Sequence, residues 1–165
     1  MFSTLVSRFS RLFRCFRPPR RSHSNRARRS HSNRRHRSQG THRRTNTAAF
    51  VIVYGRNSTI LCLIGSNGKY ELPGGSVKVN ESTRVGAQRE LREETSIIAD
   101  LRNINPIYRR SSRYGITDLF TYNYNHNRVI ISREHTGYCW MNINWIRNNK
   151  NAFTNYHQGN INKVL

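Results

Sequence analysis

A chain of 165 residues with a net charge of +21 has room for one ordinary domain and little else. Residues 1–46 hold fourteen arginines and no acid, whereas the remaining residues hold fifteen Lys/Arg against all eight acids, so a cationic tail (1–46) precedes a basic folded domain (47–165). Cys15, Cys62 and Cys139 show neither metal-ligand spacing nor a disulfide framework, which fits a reducing, intracellular setting, cytoplasm or nucleus ahead of mitochondrion, and no apolar run is long enough to span a bilayer.

In residues 1–17, Phe2, Leu5, Val6, Phe9, Leu12, Phe13 and Phe16 recur at three- and four-residue intervals, with Arg8, Arg11, Arg14 and Arg17 between them. As a helix this is basic and amphipathic, suited to a membrane surface or to an organelle-targeting segment; a terminus that folds onto its own domain is the plain alternative. Pro18 and Pro19 stop any such helix. The sequence Arg-Arg-Ser-His-Ser-Asn-Arg then occurs at 20–26 and again at 28–34 with no apolar residue beside it. Such a segment buries nothing and is expected to be disordered in isolation, drawn to RNA or DNA by charge or serving as a solvated linker.

From Thr47 the composition changes. Residues 48–54 read as a buried strand, 59–64 as its hairpin partner, and 70–72 as a short third strand, after which Pro73-Gly74-Gly75 makes a tight loop. A helix is expected to begin at an N-cap of Asn80 or Ser82 and run to about Thr95. Later strands are expected at 118–124, 129–132 and 138–143, with a short helix from Trp145 before a polar tail. Strands flanking one central helix point to an α/β or α+β domain.

Glu90, Glu93 and Glu94 stand at i, i+3 and i+4 and therefore share one narrow arc of that helix. Only six glutamates occur in the chain, so half of them crowd that arc despite their repulsion. A divalent cation among them would relieve it, and oxygen-only ligation is what Mg²⁺ prefers. A solvated face neutralised by Arg84, Arg89 and Arg92 is the competing reading.

The wider pattern resembles the Nudix box: Gly75, five residues, Glu81, seven residues, then Arg89-Glu90-Leu91-Arg92-Glu93-Glu94-Thr95-Ser96-Ile97, with Leu72-Pro73-Gly74-Gly75 as lead-in. One position departs, Ser96 standing where that family has glycine, just past the helix end. The resemblance implies an α/β/α sandwich with a mixed central sheet and a hydrolase that uses Mg²⁺ or Mn²⁺ to cleave a pyrophosphate. The bond would join a nucleoside diphosphate to another moiety, as in a nucleotide, a dinucleoside polyphosphate, ADP-ribose or capped RNA. It implies Glu90, Glu93 and Glu94 as metal ligands with the Gly74 carbonyl, and Glu90 acting as or orienting the base. Arg89 would hold a helix carboxylate in place, with Glu81 and Gly75 in support.

The family's further downstream acid has three candidates here, Asp100, Asp118 and Glu134. Glu134 is favoured because Glu-His-Thr-Gly-Tyr-Cys-Trp is similar to the family's acidic stretch before a tryptophan-led strand, with His135 read as an ordinary surface histidine. Tyr114 resembles a weak marker of dinucleoside polyphosphate hydrolases, and Lys78 and Arg56 read as solvated loop charges. The alternative is a non-catalytic nucleic-acid-binding protein that keeps a Nudix scaffold and uses its arginine tail.

Overall fold

The computed structural model describes residues 14–16 (backbone only), 46–113, 115–126 and 128–165. Its strands are β1 (Arg14–Phe16), β2 (Ala48–Tyr54), β3 (Thr59–Ile64), β4 (Tyr70–Glu71), β5 (Gly74–Ser76), β6 (Tyr108–Ser112), β7 (Gly115–Asn123) and β8 (Gly137–Asn142). Its helices are α1 (Thr83–Thr95), α2 (Ile143–Asn148) and α3 (Asn155–Val164), with a 3₁₀ turn at Lys150–Ala152.

The sheet runs β1-β8-β3-β2-β7-β6, with β4 added to β3 and β5 to β2. It is mixed. β2 and β7 pair in parallel along the whole of β2, from Ala48 opposite Thr117 to Tyr54 opposite Asn123, while the other pairings are antiparallel. A parallel pair needs a crossover, and the segment carrying α1 provides it.

Alternation along β2 and β3 sorts the core into two layers. Ala49, Val51, Val53, Leu61 and Leu63 face one way and pack with Ala87 and Leu91 of α1. Phe50, Ile52, Ile60, Cys62 and Ile64 face the other way and pack with Ile146 of α2 and Ile161 of α3. Helices thus cover both faces of a central mixed sheet, the α/β/α sandwich that was expected. The near-continuous apolar runs in β2 and β3 are what burial on both faces requires.

The Ser82 hydroxyl caps α1 by accepting from the Val85 amide at 3.3 Å, and Ser96 ends the helix in the left-handed region at φ 59°. Several expectations are corrected. Residues 129–132 form no strand, because the segment is held instead by amides of Ile130 and Ser132 bonded to carbonyls of Thr95 and Glu94 at the end of α1. Gly74–Ser76, expected as loop, pairs with β2 as a strand, and β6 was not foreseen. The polar C-terminus contains the ten-residue helix α3, since His157, Asn160 and Ile161 dock it onto the sheet. Arg14–Phe16, placed in a helix by the sequence pattern, form β1 against β8, with Cys15 in register with Cys139. Cys139 is disulfide-bonded, which corrects the expectation that the cysteines form no disulfide, and Cys62 is free and buried. The rest of the tail, including its repeat, lies outside the described residues.

Candidate active site

Three elements bring the acidic residues together. β4 carries Glu71, the Pro73-Gly74 turn follows, and the last turns of α1 lie against that turn. The Gly74 amide donates to Oε2 of Glu94 at 2.8 Å. Gly74 has φ 136°, and a Cβ there would collide with the Ala49 carbonyl and Phe50, so only glycine lets the turn lie flat on β2. At Gly75 a Cβ would stand 3.1 Å from Cδ of Glu90, so the second glycine makes room for the helix carboxylate.

Glu94 is the buried member of the trio, 7% exposed, and its carboxyl is pushed up to about 8. Burial is the main cause, partly offset by the Gly74 amide and reinforced by the negative charges of Glu90, Glu134 and Glu71. Three further carboxylates therefore bear on Glu94, and Glu71 was not foreseen as one of them. The sequence offered no signal for it: Glu71 lies outside the helical arc and arrives through the β3–β4 pairing.

Glu90 and Glu93 are held by Arg89, whose Nη1 donates to Glu90 at 2.6 Å and to Glu93 at 3.1 Å. The same guanidinium reaches Glu81 through Nε at 2.9 Å and Nη2 at 3.0 Å, and the Ser76 carbonyl at 2.9 Å. These bonds raise Arg89, Glu81 first among them, and hold the Glu81 carboxyl below its ordinary range. Glu81 also accepts from the Lys78 amide at 2.9 Å, so it fixes the entrance of α1 rather than projecting among the other acids. Among the described residues no three His, Cys, Asp or Glu side chains share a single ion position, since Arg89 draws Glu90 and Glu93 toward itself.

Of the downstream acids, Asp118 is fully buried and clamped by Arg109 at 2.6 and 2.7 Å and by the Thr83 hydroxyl at 2.5 Å. Asp100 pairs with Arg102, which holds its carboxyl down to about 2. Glu134 alone of the three bears on Glu94. His135 is not a surface residue: it is 9% exposed, with Nε2 at 3.6 Å from Glu71 and 3.8 Å from Glu94, and its Nδ1 is buried without a partner. Tyr114 lies outside the described residues.

The donors beside the turn are of the kind a hard divalent cation takes, carboxylate oxygens next to a glycine turn, and Glu90 and Glu93 would have to turn from Arg89 to join Glu94 on one ion. A mixed sheet between helices, with the acidic end of α1 bonded to a glycine turn, is the arrangement this site presents. The sequence matches the NUDIX domain over residues 44–159, and the chain belongs to the Nudix family and is a Nudix hydrolase, a pyrophosphate hydrolase in general terms. No curated protein matches the sequence.

The fold is similar to that of a MutT protein from Methanosarcina mazei at TM-score 0.58 and 22% identity, covering 75% of this chain and 95% of that one. It is also similar to the dihydroneopterin triphosphate pyrophosphohydrolase of E. coli at TM-score 0.53 and 18% identity, over 70% and 90% of the two chains. A C. elegans Ap4A hydrolase follows at TM-score 0.51 and 21% identity, over 62% and 84%.

Proposed function

We propose that the chain cleaves the diphosphate of a nucleoside diphosphate linked to another moiety, using Mg²⁺ or Mn²⁺. The observation that carries this reading is Glu94, a buried carboxyl raised by burial and by the charges of Glu90, Glu134 and Glu71 under the Gly74 turn. Glu90, Glu93 and Glu94, with the Gly74 carbonyl, would hold the ion. When bound, it would neutralise phosphate oxygens and make water a better nucleophile.

The protein's own tasks are positioning and proton transfer. Arg89 orients Glu90 and Glu93 and ties them to Glu81, and Gly75 leaves space for Glu90. Glu134 or Glu90 takes the proton of the attacking water. An Ap4A hydrolase and a dihydroneopterin triphosphate pyrophosphohydrolase among the structural relatives support a substrate with a phosphate chain on an organic group. The fourteen-arginine tail favours polyanionic substrates such as capped RNA within that class.

The test is phosphate release from a panel of nucleoside triphosphates, dinucleoside polyphosphates, ADP-ribose and capped RNA, with Mg²⁺ or Mn²⁺. Turnover that needs the ion and is lost in Glu93→Gln supports the proposal. Glu93 is 56% exposed at its side chain, so this variant should fold normally. RNA binding without turnover on any substrate, unaffected by Glu93→Gln, would favour the non-catalytic scaffold, against which the retained carboxylates already argue.

A further inference from the structure

We propose that His135 is a positioning residue for the ion site, its imidazole spanning Glu71 of β4 and Glu94 of α1 and orienting the Glu94 carboxylate. This role rests on Glu94 holding the ion, as proposed above, and adds a residue to that site.

The stretch that carries His135 is fixed before β8 begins. The Thr136 amide donates to the Ile64 carbonyl at 2.8 Å. The Thr136 hydroxyl donates to the same oxygen at 3.2 Å and to the Gly65 carbonyl at 3.4 Å. Gly65 also leaves room for Glu71, since a Cβ there would stand 3.1 Å from Oε1 of that carboxylate. Glu71 sits opposite Leu63 of β3, and β8 pairs with the same strand, Gly137 opposite Ile64. The end of β3 therefore brings the carboxylate and the imidazole together.

The ring is buried, and its two nitrogens differ. Nδ1 is sealed from solvent and has no hydrogen-bond partner. Nε2 lies 3.6 Å from Oε2 of Glu71 and 3.8 Å from Oε1 of Glu94. Carboxylates accept and do not donate, so the ring hydrogen belongs on Nε2 and Nδ1 keeps the lone pair. At these lengths neither contact is a hydrogen bond, and a shift of roughly an ångström would close either one. A side chain kept there only for packing would do better without a polar atom, because a buried acceptor with no donor costs stability.

Glu94 is thereby approached at both oxygens. The Gly74 amide donates to Oε2, and His135 faces Oε1. The Arg89 guanidinium bonds Glu81, Glu90 and Glu93 instead. The other ionisable groups that bear on Glu94 are the carboxylates of Glu90, Glu134 and Glu71. His135 is thus the one basic side chain paired with Glu94 among the described residues. Partners that orient a ligating carboxylate strengthen ion binding, and losing one costs about 10- to 100-fold in affinity.

The test measures Mn²⁺ binding to the full chain from the electron paramagnetic resonance signal of the free ion, beside the melting temperature of the metal-free protein. His135→Leu should weaken Mn²⁺ binding about tenfold or more. Its metal-free form should melt at or above the wild-type temperature, since the sealed lone pair is gone. His135→Gln puts an amide nitrogen close to where Nε2 stands and should stay within about threefold of wild type. His135→Asn puts its nitrogen near Nδ1 instead and should bind as weakly as the leucine variant. The glutamine and asparagine variants decide the matter even if leucine unfolds the chain. Unchanged affinity in a folded leucine variant, or equal affinities in the glutamine and asparagine variants, would overturn the role and leave the hydrolase reading standing. Wild-type protein that takes up no Mn²⁺ would overturn both.

Discussion

The Gly74 amide donates to Oε2 of Glu94 at 2.8 Å, so the turn after β4 and the last residues of α1 are held as one unit. The same carboxyl is buried among like charges, which gives it a folded value of about 8 against 4.5 when free. A carboxyl raised in this way favours the fold while protonated, and that contribution is lost as pH rises from 4.5 through 8. In the metal-free protein Glu94→Gln should therefore raise the melting temperature at pH 8, by up to about 4 kcal/mol of stability, and change it little at pH 5. Mg²⁺ at pH 8 should stabilise the wild type and not the variant. A variant less stable than wild type at pH 8 without metal would contradict this account.

His157 is expected to act with the opposite sign. Its ring is buried in α3, Nδ1 accepts from the Leu72 amide at 3.4 Å, and burial lowers it to about 4. The unfolded imidazole takes a proton near 6.5 while the folded one resists until about 4. Stability should thus fall as pH drops from 6.5 to 4, by up to about 3 kcal/mol, and stay level above 6.5. Thermal melts of His157→Phe should show this acid-side decline flattened.

Ser96 occupies the left-handed region at φ 59°, donating its amide to the Arg92 carbonyl. Serine is strained there relative to glycine, so Ser96→Gly should stabilise the protein by about 0.5–1 kcal/mol. Chemical denaturation with an unchanged m-value would report it. A loss of stability would mean that the serine side chain contributes more than its backbone costs.

Arg89 contacts Glu81, Glu90 and Glu93 with one planar group. Lysine keeps the charge but cannot form this fork. Arg89→Lys should lower kcat by 10- to 100-fold, roughly the effect of losing a group that orients metal ligands, with KM little changed. Steady-state kinetics on the substrate found by the panel would measure the split. A variant with unaltered kcat would remove Arg89 from the machinery.

The parts of this molecule legible in the sequence are those where chemistry or burial fixes spacing. α1 and the carboxylate arc could be read because i, i+3, i+4 placement and the two glycines are local requirements, and the structure chose Ser82 over Asn80 as the cap. β2 and β3 were equally plain as apolar runs. Glu71 and His135 could not be read, because they meet Glu94 only through pairing of β3 with β4 and with β8, across long stretches of chain. β6 was missed because an exposed edge strand of arginines and serines carries no apolar alternation. α3 was hidden for a related reason: its polar sequence is anchored by His157 and Asn160, residues that a hydrophobic pattern does not count.

The parallel pairing of β2 with β7 also bears on how the chain reaches its native state. Residues 48–54 cannot complete their ladder with 117–123 until everything between them, α1 included, has closed into a loop. Folding should accordingly be slow for a domain this small, and the acidic cluster should assemble late, only as the helix is seated on the sheet. A nascent chain halted short of β7 would expose one edge of β2, a state prone to mispairing with other chains.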